Sequence, residues 1–270
     1  MSQITTNNIL IKPKQTTGTF KIILTFIFGA SIIFLAIFSN SYITAQAEIA
    51  LFTKLRNNHT KILTQDQTDI YPDNNNPYLL IDWNALSNIN PDIISWIAIP
   101  GTKISYPVVQ TDNNAFYLNH SFERKPSETG TLFTHHQNNL NNLDSNTIIY
   151  GHNMGRGRSD KFGNLLNYKD TEYANINSSI WFMTKSGNGG WWDIVYIVHI
   201  NYKTYNYDYQ KINFYETCIS NNWINTSKEL SIFDSGLNIT KSDNILTLST
   251  CDRSIYGSDG RLLIMGVLRT

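Results

Sequence analysis

Net charge is what this 270-residue chain lacks: 21 lysines and arginines balance 21 aspartates and glutamates. No global field is available to gather a polyanion, so no nucleic-acid partner is expected. Cysteine is nearly absent, with Cys218 and Cys251 alone. One disulfide at most can form, and it would consume both thiols. Neither an H-E-x-x-H pair nor a C-x-x-C pair occurs. A zinc site could be drawn only from His135, His136, His152 and Asp144. Adjacent histidines on an extended segment point to opposite faces, so no metal is expected. No internal repeat is evident. What is present is apolar material, 41% hydrophobic and 13% aromatic residues, ample for a buried core. The length and texture predict one domain plus an attachment.

The attachment is the N-terminal stretch. Over residues 22–38 only Thr25 and Ser31 break an apolar run, and Tyr42 and Ile43 resume it. About 20 such residues span a hydrocarbon core as a helix. Lys12, Lys14 and Lys21 precede the run, while residues 45–50 hold no lysine or arginine. The positive-inside rule then puts the N-terminus in the cytoplasm and the remainder outside the cell membrane. The alternative is a cleaved signal peptide, because Ala45-Gln46-Ala47 reads as a small-x-small cleavage site. The run exceeds the usual apolar region of a signal peptide, which favours an uncleaved anchor. The expected organisation is a cytoplasmic tail at 1–21, a membrane helix at 22–43, a helical stalk and linker at 44–79, and a folded domain at 80–270. Pro72, Pro77 and the asparagines 74, 75 and 76 mark the linker.

From Tyr78 onward the texture is that of short β runs separated by turn residues. They fall at 93–101, 104–110, 147–150, 194–200, 244–249 and 262–268. Helical inserts are expected near 83–89, 162–168 and 214–224. Many short strands with few long helices imply a closed or sandwiched, mainly β domain.

The chemistry collects at the ends of three of those runs. Thr247-Leu248-Ser249-Thr250-Cys251 closes one run, and Arg261 opens the next, ten residues later. His152 follows Ile148-Ile149-Tyr150-Gly151 at the end of another. A thiol attacks a carbonyl as thiolate, an imidazole moves the proton, and a guanidinium stabilises an oxyanion or holds substrate. Those three groups suffice for acyl transfer through a thioester. Each alone has a plainer reading, as core thiol, solvated turn histidine and surface charge. Cys218, in a short helical stretch, reads as a small buried hydrophobe. Arg253, in the polar loop 252–260, offers a second guanidinium.

Four ordered blocks, TLSTC at 247–251 with Arg261 downstream, IIYGHNM at 148–154, WIAIPGTKISYPVVQ at 96–110 and FYLNHSF at 116–122, resemble class B sortases. These are membrane-anchored cysteine transpeptidases of Gram-positive bacteria. The resemblance covers about 80–270 and implies an eight-stranded sortase-type β-barrel with helical additions. One of them is a helix at 213–226 between the sixth and seventh strands. It implies Cys251 as nucleophile, His152 as acid and base, and Arg261 as stabiliser of substrate backbone or oxyanion. Tyr150 and Ser249 match positions lining the substrate groove, and Asn119 or Asn114 would contact substrate. It further implies sorting-signal-bearing surface proteins and a peptidoglycan-precursor amine as partners, with no cofactor. One departure is Thr134-His135-His136-Gln137-Asn138, where class B members carry an acidic residue and an aromatic before Arg-Asn. A competing reading is a non-enzymatic surface-binding module, drawn from Trp191, Trp192 and the tyrosines of 202–209.

Overall fold

The structure is a computed structural model, and it describes residues 18–63, 78–155, 158–205, 207–214, 217–237 and 239–269. Residues 1–17 of the expected tail and 64–77 of the expected linker lie outside the described residues, as does the side chain of Cys218. The chain divides into two compact units, Met1–Gln46 and Ala47–Thr270.

Helix α1 runs Gly18–His59. Its N-terminal part carries an exposed apolar surface that includes Ile22, Phe26, Phe28, Phe34 and Ile43. Among the described residues this is the one helix long and apolar enough to cross a membrane. Residues 47–59 of α1 behave differently: Phe52 and Leu55 are buried in the main core of the second unit. A short antiparallel pair follows, β1 (Thr60–Ile62) with β2 (Leu79–Ile81). Helix α2 (Trp83–Ile89) starts on Asp82, whose carboxylate accepts the Ala85 N–H at 2.9 Å. That satisfies one of the amides a helix start leaves orphaned.

Eight strands then close a barrel: β3 (Ile93–Ala98), β4 (Ser105–Val109), β5 (Phe133–Thr134), β6 (Asn146–Tyr150), β7 (Ser179–Thr184), β8 (Gly189–Asn201), β9 (Ile245–Cys251) and β10 (Gly260–Leu268). Their order around the barrel is β10-β8-β7-β3-β4-β5-β6-β9. All pairs are antiparallel except β4 with β5 and β6 with β9. Among the described residues, four helical pieces decorate the connections between β3 and β9: 3₁₀ stretches at Phe116–Leu118 and Lys161–Lys169, α3 (Thr171–Ile176) and α4 (Thr217–Glu229). Helix α4 lies between the sixth and seventh barrel strands, where the resemblance put it. A single turn, α5 (Arg253–Tyr256), caps the β9 to β10 connection.

Alternation along a strand sends successive side chains to opposite faces. On β9, Leu246 and Leu248 join the main core, with Leu262 and Ile264 of β10 and Ile97 of β3. Ile245 joins a second cluster with Leu263, Met265, Tyr207, Tyr209 and Trp223. The second cluster is the outer barrel face roofed by α4 and the chain leading to it. Cys251 and Ser249 share the parity of that outer face.

All six β runs read from the sequence are strands. β5 has only two residues, too few for a periodicity, and β7 is buried on almost every position, so it shows no alternation. The predicted helix at 83–89 is α2, the one at 162–168 is the 3₁₀ stretch, and the one at 214–224 is α4, starting at Thr217.

Candidate active site

The site is assembled by register. β9 is flanked by β6, parallel, and β10, antiparallel. Cys251 lies directly opposite Arg261, and Ser249 opposite both Tyr150 and Leu263. Past Tyr150 the chain leaves β6 but stays fastened to β9. Gly151 N–H donates to the Ser249 carbonyl at 3.2 Å, and Thr250 Oγ1 donates to the Gly151 carbonyl at 2.7 Å. Asn153 Nδ2 donates to the Cys251 carbonyl at 2.9 Å. His152 is therefore held between two residues tied to the cysteine strand. Gly151 has no alternative, since a Cβ there would come within 2.3 Å of Leu132 and 2.6 Å of Phe162. The three predicted residues thus arrive from three adjacent strand ends at the same edge of the barrel.

Cys251 is a free thiol, half-buried, so the disulfide alternative does not hold for it. His152 Nε2 lies 2.7 Å from the Leu118 carbonyl oxygen. A carbonyl only accepts, so Nε2 carries the hydrogen, and in the neutral ring Nδ1 is the acceptor nitrogen. Burial holds the imidazole below its ordinary pKa, helped by the charges of Lys161 and Arg253, while the Leu118 hydrogen bond works the other way. Arg261 Nη1 donates to the Ser258 and Gly260 carbonyls at 3.0 and 2.8 Å, and the guanidinium lies 4.4 Å from the Tyr202 ring centroid. Arg253 is an exposed residue on α5, so Arg261, paired across from the cysteine, is the better-placed guanidinium.

Asp252, next to the cysteine, has structural work. It caps α5 by accepting the Ser254 N–H at 3.0 Å, and it meets Lys169 at 2.8 Å and His199 at 3.4 Å. Burial opposes its charge, but the Lys169 and Ser254 hydrogen bonds prevail and hold the carboxyl below its usual range.

The groove candidates separate. Tyr150 receives a hydrogen bond from Gln210 Nε2 at 2.7 Å and packs on Phe133; burial raises its phenol pKa. Ser249 is buried on β9. Asn119 is exposed at the end of the turn Phe116–Leu118, one residue beyond the carbonyl that holds His152. Asn114 Oδ1 is taken up by the His136 backbone N–H at 2.8 Å. The sequence reading missed Tyr209, whose phenol lies near Ser249 and Arg261; burial raises its pKa while both neighbours work the other way. It sits in a polar, tyrosine-rich stretch with no periodicity to single it out.

The expectation that His135 and His136 face apart is corrected: their ring centroids are 4.7 Å apart. The segment turns after the two residues of β5, so strand alternation no longer governs it. Among the described residues no group of three or more histidines, cysteines or carboxylates is arranged to hold a metal ion. Of the aromatics behind the binding-module reading, Trp192, Tyr207 and Tyr209 are buried and Trp191 half-buried, while Tyr202 and Tyr205 are exposed.

A sortase-domain family model matches residues 97–269. The chain belongs to the sortase family. Sortase B of Listeria monocytogenes is 30% identical over 219 residues, spanning 79% of this chain and 87% of that protein. The crystal structure of Clostridium perfringens sortase B superposes with a TM-score of 0.62 at 30% identity, covering 69% of this chain and 99% of the other. A Staphylococcus aureus sortase B–substrate complex gives a TM-score of 0.67 at 26% identity over 84% and 99%. The enzyme is a class B sortase with the eight-stranded barrel of that class. Sortases are transpeptidases that act on surface proteins bearing sorting signals and on a cell-wall amine, and the apolar N-terminal helix is consistent with membrane attachment.

Proposed function

We propose that this sortase cuts a C-terminal sorting motif through a thioacyl-enzyme on Cys251 and transfers the acyl group to a peptidoglycan-precursor amine. The Cys251 thiolate attacks the carbonyl carbon of the scissile amide, and the tetrahedral oxyanion accepts hydrogen bonds from Arg261. Collapse of that intermediate breaks the C–N bond as protonated His152 delivers its proton to the leaving amine. The acceptor amine, on a cross-bridge or a diaminopimelate side chain, then attacks the thioester. His152 takes the proton and the thiolate leaves, which restores the enzyme. Tyr150, Ser249 and Asn119 are proposed to line the substrate groove. The chemistry needs no metal or organic cofactor, because the thiol supplies the covalent step and the groove the positioning.

The observation that carries this reading is the register: Arg261 opposite Cys251, with His152 bracketed by Gly151 and Asn153, each hydrogen-bonded to β9. The positive-inside pattern supports a cytoplasmic tail at 1–21, a span at 22–43, a stalk and linker at 44–79 and an extracellular catalytic domain at 80–270. A membrane-impermeant thiol reagent should label Cys251 on intact cells.

Intact mass spectrometry of the full chain in detergent tests the mechanism, using peptides with LPxTG-like and NPxTN-like motifs and an added amine. The expected result is an adduct on Cys251 that resolves to a peptide–amine product and is absent from Cys251→Ala. Normal turnover by Cys251→Ala would refute the assignment.

A further inference from the structure

Lys161 is a lysine where none is easily accommodated. Its side chain is 3% exposed, and its backbone sits at φ +51°, the left-handed region that side chains rarely adopt. A buried ammonium needs partners, and this one has several. Nζ donates to the Thr129 carbonyl and Oγ1, each at 2.8 Å, and to the Gly130 carbonyl. Glu48, on residues 47–59 of α1, meets it at 3.3 Å, and the Phe52 ring centroid lies 5.0 Å away. Strain in a non-glycine residue persists where the surroundings over-determine it, and such sites cluster where position matters for function.

What these contacts fix is the ground under His152. Gly130 lies so close to the Phe116–Leu118 turn that a Cβ on it would come within 2.7 Å of the Leu118 carbonyl oxygen. Thr131 N–H donates to the Tyr117 carbonyl at 3.0 Å. That Leu118 carbonyl accepts from His152 Nε2. The residue after Lys161, Phe162, packs beneath Gly151.

We propose that Lys161 is a positioning residue for His152. Its ammonium clamps Thr129 and Gly130 against the turn that presents the Leu118 carbonyl, and Glu48 holds the ammonium in place. The proposal rests on His152 as acid and base, and adds an electrostatic arm to it. The charged groups acting on the imidazole are Lys161 and Arg253. Those acting on Lys161 are Glu48, Asp160 and Arg158. Burial brings the Lys161 ammonium down to about 8, with Glu48 opposing the drop. Without the Glu48 charge the ammonium loses the partner that opposes that drop.

The test is the titration of His152 in the full chain in detergent, labelled with ¹⁵N-histidine. His152→Ala assigns the resonance among the six histidines. Lys161→Met should move the imidazole midpoint upward, by about half a pH unit or more, whereas the milder Glu48→Gln loosens the clamp but leaves the ammonium charged where His152 titrates, so it should act on kcat. The acid limb of the kcat/KM profile should follow, and kcat should fall about tenfold with KM little changed. Should Lys161→Met fail to fold, Glu48→Gln decides alone. A wild-type kcat in folded Glu48→Gln, or a wild-type His152 titration in folded Lys161→Met, would overturn the proposal. Turnover by His152→Ala reads the underlying assignment separately: normal activity there would sink the acid and base role, while the titration still decides whether Lys161 acts on the imidazole.

Discussion

Arg261 shows how much one side chain's shape can matter. Its guanidinium spends Nη1 on the Ser258 and Gly260 carbonyls, lies over the Tyr202 ring, and its charge favours the ionised form of the Tyr209 phenol. A lysine offers one charge but neither the fork nor the flat face. Arg261→Lys is expected to lower kcat/KM at least about tenfold, with the melting temperature within about 2 °C of the parent, because the residue is half-exposed. Paired peptide kinetics and thermal melts check this. His135 and His152 predict a second behaviour. Burial holds both imidazoles below the ordinary 6.5. The unfolded chain therefore binds protons first as pH falls, so the stability they contribute is present above 6.5 and lost as pH drops through their folded values. Urea midpoints at pH 7.5 and 5.5 should show the loss, and His152→Asn should reduce it. Cys251, His152 and Arg261 were legible because each ends or opens an apolar run. Tyr209, Lys169 and Lys161 were not, because what makes them important is a partner about 40 to more than 100 residues away in sequence, as with Tyr209 and Ser249 or Lys161 and Glu48.

Three strands, β6, β9 and β10, carry the candidate site, and all were readable as short apolar β-type runs bounded by turn residues. The parallel pairing of β6 with β9, which brings His152 to Cys251, was not, since alternation within a strand says nothing about its neighbour. The resemblance implied an eight-stranded barrel, and the order of its strands came from the structure. Asn153 is the outermost stitch between these strands, through its bond to the Cys251 carbonyl. Removing it in Asn153→Ala should cost about 1 kcal/mol of stability. Turnover should fall by more than that loss of folded protein accounts for, as His152 gains freedom. Chemical denaturation beside steady-state kinetics separates the two effects.

At the scale of the molecule, residues 47–59 of α1 are part of the folded unit. A chain starting at Ala47 should melt with the parent. A chain starting at Tyr78 loses Phe52 and Leu55, each worth about 1.5–3 kcal/mol when buried, and leaves Lys161 without the Glu48 carboxylate. Its melting temperature is expected to drop on the order of 10 °C, which differential scanning calorimetry on the two chains would measure. The barrel itself has a further consequence through the parity of β9. Positions 246 and 248 serve the interior, while 249 and 251 serve the outer face where the candidate site lies. Selection for a new sorting motif and selection for robustness therefore act on interleaved but separate positions of one strand. Ser249 can change with substrate preference beside a fixed Cys251 while Leu246 and Leu248 keep the barrel closed.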